Sequence, residues 1–190
     1  YSLETGEQAR FYWRLEQTDT DEVPLNGFRC DLKFELPFNY SVNAYKQLQF
    51  KESREVEGST ELGSQVSGGP LRIVMEVVGS TSEQPGTILT QDDASIYVTV
   101  ENTDSSESPY QGLIEVNSID ITSSDNIDLE EDCGDSESVT LSTGSQNIYK
   151  CSVEPENMDS PSIRGEVDVE VDYTFVNDVG SRRVEVQYRE

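Results

Sequence analysis

Histidine is missing altogether from the 190 residues, and lysine occurs only as Lys33, Lys46, Lys51 and Lys150. Without histidine there is no Ser-His or Cys-His pair for nucleophilic catalysis, and no imidazole to complete a zinc site. Bases of either kind are scarce: 13 Lys and Arg stand against 38 Asp and Glu, for a formal net charge of −25. Binding a nucleic acid needs clustered bases to neutralise phosphates, so that class is excluded, and an anionic membrane surface is disfavoured for the same reason. Long apolar runs are also lacking. Ile73-Val74-Met75 is about as long as they become, so neither a membrane span nor a signal peptide is expected within these residues.

Cysteine appears three times, as Cys30, Cys133 and Cys151, and no two of them form a Cys-x-x-Cys motif. Cys133 and Cys151 are spaced for a disulfide closing one loop, worth about 3 kcal/mol in the chain-entropy model. Such a bond points to an oxidising, extracellular compartment. Cys30 remains as a small side chain expected on the inner face of a strand.

What the chain does have is carboxylates and alternation. An acid-rich, lysine-poor surface with only 34% apolar residues suits a salt-saturated habitat. There the Debye length falls to ~3 Å and self-repulsion is screened. Period-two patterning recurs from end to end, which predicts an all-β fold without helices. Val167, Val169, Val171, Tyr173 and Phe175 alternate with Glu166, Asp168, Glu170, Asp172 and Thr174. Leu32, Phe34, Leu36, Phe38, Tyr40 and Val42 alternate in the same way with polar neighbours. Each pattern describes a strand with one face in the core and one in water.

The two strands belong to an internal repeat. Leu3-Glu4-Thr5-Gly6-Glu7-Gln8 corresponds to Leu141-Ser142-Thr143-Gly144-Ser145-Gln146, and Phe28-Arg29 corresponds to Ile163-Arg164. The reading is a partial β-sandwich repeat over residues 1–57, a linker over 58–69, and a complete copy over 70–190. The complete copy offers seven strands, near 71–79, 95–103, 111–123, 138–143, 147–154, 163–176 and 181–189. Seven short strands over this length suggest an immunoglobulin-like antiparallel sandwich.

The stretch Thr90–Asn102, reading Thr-Gln-Asp-Asp-Ala-Ser-Ile-Tyr-Val-Thr-Val-Glu-Asn, resembles the second strand of the immunoglobulin-like repeats of archaeal cell-surface and S-layer-type proteins. The resemblance implies an extracellular, structural or adhesive segment whose partners are neighbouring repeats or subunits of the same protein. It transfers no functional residues. Two alternatives stand beside it: a sandwich module that binds glycans or other ligands, and a virion or pilus subunit that assembles by strand exchange.

Three sites follow from the residues. Asp125, Asp128, Glu130, Glu131, Asp132 and Asp135 crowd one loop. They could offer oxygen ligands to Ca²⁺, although the EF-hand order is not there and a solvated, salt-adapted loop is the plainer account. Asn39-Tyr40-Ser41 is a glycosylation sequon on the polar face of its strand. Phe11, Tyr12 and Trp13 could stack on sugar rings, with core packing as the plainer account. No carboxylate pair stands out as a hydrolase centre, so no catalysis and no cofactor beyond Ca²⁺ is expected.

Overall fold

The computed structural model describes residues 28–53, 55, 62–66, 69–81, 84–103, 112–130, 133–134 and 138–186. Eleven β-strands and no helix occur among them: β1 (Phe28–Lys51), β2 (Ser64–Val66), β3 (Leu71–Val78), β4 (Ser80–Thr81), β5 (Gln84–Leu89), β6 (Ser95–Asn102), β7 (Gly112–Ser123), β8 (Ile127–Leu129), β9 (Val139–Leu141), β10 (Gln146–Pro155) and β11 (Ser162–Val186). They build two sheets. One has the order β4-β5-β1-β11-β7-β9 with β2 added to β1; the other has the order β3-β6-β10-β8.

The chain divides into two compact units, residues 1–33 with 181–190, and residues 34–180. In the first, the Arg183 guanidinium donates to Asp31 from Nε at 2.9 Å and from a terminal nitrogen at 3.3 Å. Both side chains are exposed, so solvent screens most of that attraction.

The second unit is a two-layer β-sandwich, and alternation explains its core. β6 buries Ile96, Val98 and Val100, and β11 buries Val167, Val169, Val171 and Tyr173. These join Leu48 and Phe50 of β1, Ile114 and Val116 of β7, Leu71 and Ile73 of β3, and Cys151 and Val153 of β10 in one apolar cluster shared by the two sheets. Removing this apolar surface from water is the main term holding the layers together.

Six of the expected strands lie close to β3, β6, β7, β9, β10 and the first half of β11. The expected break near 177–180 does not occur, and β11 continues through Val186. Its sheet neighbour β1 is 24 residues long.

Val42, Ala44, Leu48 and Phe50 of β1 are buried in the same core as residues of 70–175. The apolar row of β1 needs cover, and the neighbouring strands supply it. Within the expected linker, β2 pairs with Ala44–Lys46 of β1. A Cβ on Gly63 would lie 3.1 Å from the Gln47 side-chain oxygen, a tight contact with the end of a flexible side chain. The Gln47 and Gly63 backbones are joined by an N–H···O bond of 2.9 Å.

β5 is not among the seven strands expected from the pattern, and it opens around Pro85-Gly86. It pairs with β1 in parallel through Gln49↔Thr87, Phe50↔Ile88 and Lys51↔Leu89. One glycine is indispensable to the geometry. Gly79, between β3 and β4, has φ +96°, and a Cβ there would come within 2.5 Å of the Asp93 carbonyl oxygen.

Candidate functional site

Alternation sends the polar residues of β1, β7 and β11 to the outer face of the larger sheet. There an open depression of about 360 Å³ is lined by Asn39, Tyr40 and Ser41 of β1, Asn117 and Ser118 of β7, and Asp172 and Tyr173 of β11. The Tyr173 ring itself turns inward and is buried, with the Tyr40 ring stacked on it at 5.5 Å between centroids. Burial, and then the neighbouring Tyr40, raise the Tyr173 phenol above its ordinary pKa.

A β-bulge shapes the depression. Asp172 pairs with Ser118, whereas Tyr173 pairs with Val116, so Asn117 is the extra residue on β7. Bulges re-aim side chains, and this one turns Asn117 across the sheet. Its Nδ2 donates to Thr174 Oγ1 at 3.0 Å, and Thr174 Oγ1 donates onward to Asn39 Oδ1 at 2.9 Å. Beside this relay, Ser118 Oγ donates to Asp172 Oδ2 at 3.3 Å and Ser41 Oγ donates to Glu170 Oε1 at 3.1 Å. Two amides, two hydroxyls and one carboxylate are thus held in place by partners on three strands. Such a set can hydrogen-bond a hydroxylated ligand, and the surrounding carboxylates repel an anionic one.

Only Asn39 of the sequence-derived candidates falls in this depression. Cys133 and Cys151 lie elsewhere, at disulfide-bonding distance, with sulfurs 2.01 Å and Cα atoms 5.1 Å apart. Cys151 is wholly buried in β10, and the pair ties the acidic loop to that strand.

Within the loop, Asp125 occupies the turn before β8, Asp128 lies in β8, and Glu130 follows it; all three are exposed. Glu131, Asp132 and Asp135 lie outside the described residues, as do Phe11, Tyr12 and Trp13. Among the described residues no group of three or more His, Cys, Asp or Glu is placed to hold a metal ion. Nor, among them, is any helix long and apolar enough to cross a membrane, which says nothing of a β-barrel.

Asn117, Ser118 and Asp172 were not singled out from the sequence, yet one signal for them was there. Apolar residues of β7 fall on even positions at Ile114 and Val116 and on odd positions at Ile119 and Ile121. That slip of one residue marks a bulge between them.

The register also brings like charges face to face. Glu170 of β11 lies directly opposite Asp120 of β7, and Glu154 of β10 lies opposite Asp128 of β8. All four are exposed. Burial, and then the adjacent Glu166, raise the Asp168 carboxyl above its ordinary value. Compared with protein-family models, curated proteins and solved structures, the chain finds no match in any of the three.

Proposed function

We propose that the chain is a non-catalytic structural or adhesive segment of an extracellular surface or filament protein working in concentrated salt. In this reading it is an immunoglobulin-like module of a tandem array, and its partners are neighbouring copies. The observation that carries the reading is the pair of carboxylate-on-carboxylate registers, Glu170↔Asp120 and Glu154↔Asp128. Like charges directly opposite one another across a ladder destabilise it in dilute buffer, each by a few tenths of a kcal/mol up to about 1. Molar salt removes that cost, because the Debye length becomes shorter than the separation of neighbouring side chains. The cysteine pair at bonding distance supports an oxidising location.

Thermal melting followed by far-UV circular dichroism, from about 0.05 to about 3 M NaCl, tests the reading. The melting temperature is expected to climb steeply with NaCl and to climb less in the double variant Asp120→Asn/Glu154→Gln. A melting temperature indifferent to salt would overturn the salt-adapted surface. If millimolar CaCl₂ reproduced the whole effect at low NaCl, the acidic loop would replace the sheet face as its cause.

A further inference from the structure

We propose that Asn39 is covalently N-glycosylated, and that the depression beside it seats the first sugar of the attached glycan. The proposal rests on the extracellular reading above, because the modification is made on chains that leave the cytoplasm. Asn39-Tyr40-Ser41 is the one Asn-x-Ser/Thr triplet in the whole sequence. The fold presents it on the outer face of β1, with both Asn39 and Ser41 exposed.

The hydrogen-bond relay then orients the reacting amide. Thr174 has a single hydroxyl proton. Having accepted from Asn117 Nδ2, it gives that proton to an acceptor, and so holds Asn39 by its oxygen Oδ1. The Nδ2 of Asn39 is thereby turned away from Thr174.

The chain around the triplet is also accessible to a transferase. Residues 37–41 of β1 are all exposed. The depression has the size of a small-molecule site, ~300–1,000 Å³. Its lining is polar on both sides of Asn39, with Ser41 on the same strand and Asn117, Ser118 and Asp172 across the sheet. Hydroxyl groups of a neutral sugar can donate to the Asp172 carboxylate and to the Ser118 oxygen, whose own proton is given to Asp172, and can accept from the second Nδ2 hydrogen of Asn117.

In the attachment step, Asn39 Nδ2 forms a bond to the anomeric carbon of a lipid-phosphate-linked oligosaccharide. The bond from that carbon to the phosphate oxygen breaks, the lipid phosphate leaves with the electron pair, and the displaced amide proton passes to the transferring enzyme. No electron transfer is involved.

The test is peptide mapping by mass spectrometry of the protein purified from the cells that make it. Trypsin releases residues 34–46 as one peptide, since Lys33 and Lys46 flank it. That peptide is expected to carry a glycan, which Ser41→Ala abolishes and Ser41→Thr retains. An unmodified peptide alongside an oxidised Cys133–Cys151 pair would overturn the site and leave the extracellular reading standing. An unmodified peptide with reduced cysteines would overturn both. For the seat, the glycosylated parent is expected to melt higher than the same chain after enzymatic removal of the glycan, and Asn117→Ala to shrink that difference. Equal melting of the parent with and without its glycan would overturn the seat.

Discussion

Asn102 is wholly buried at the end of β6, and its side-chain amide links the two layers of the sandwich. Its Nδ2 donates to the Leu141 carbonyl of β9 at 3.0 Å and to the Gly112 carbonyl of β7 at 3.3 Å. Its backbone is committed as well, donating to Ser145 and accepting from Gly144 in the β9–β10 turn. A buried amide so used is worth more than its average hydrogen bond, because removing it strands acceptors away from water. Asn102→Leu is expected to lower unfolding free energy by about 2–4 kcal/mol in urea titrations. Asn102→Asp is expected to cost at least as much at neutral pH, since the introduced carboxylate faces two carbonyl oxygens. That carboxyl's folded pKa is raised, so its loss of stability is relieved as pH falls and the group becomes a donor.

At the scale of the strand, β11 shows how one face can be overdetermined and the other strained. Val167, Val169, Val171 and Tyr173 pack inward, while Glu166, Asp168, Glu170 and Asp172 form a row of like charge outward. Asp168 has its folded pKa raised by burial and by Glu166, so the stability it contributes is present at acid pH and lost as pH rises through that value. Asp168→Asn is therefore expected to raise the unfolding free energy from urea titration at pH 7, by well under about 1 kcal/mol for so exposed a group, and to leave it unchanged near pH 3. The long strands were legible because ten or more alternating residues leave one period to choose. β2, β4 and β8 are two or three residues long, too short to show a period, and β5 opens on a Pro-Gly pair. Their pairing is decided by edges that only the assembled sheet offers. The depression was illegible for a related reason: Asn39, Asn117 and Asp172 meet through register and a bulge, and only the sequon was local enough to find.

Taken whole, the molecule combines a modest apolar core with a net charge of −25, so any covalent tie counts. Joining Cys133 to Cys151 restricts the unfolded chain over 18 positions, and Cys133→Ser/Cys151→Ser is expected to lose about 3 kcal/mol by chemical denaturation. The loss should be largest in dilute buffer, where charge repulsion already favours the unfolded chain. The sheet order carries one more consequence, for synthesis. β1 and β11 are neighbours in the larger sheet, yet more than a hundred residues separate the end of one from the start of the other. At ~5–20 residues per second, β1 leaves the ribosome on the order of 10 s before its partner exists. Leu48 and Phe50 must wait through that interval without their final cover. The charges of Asp31, Lys33 and Glu35 that alternate with the apolar residues of β1 are the kind of feature that guards such a waiting strand against pairing with another chain.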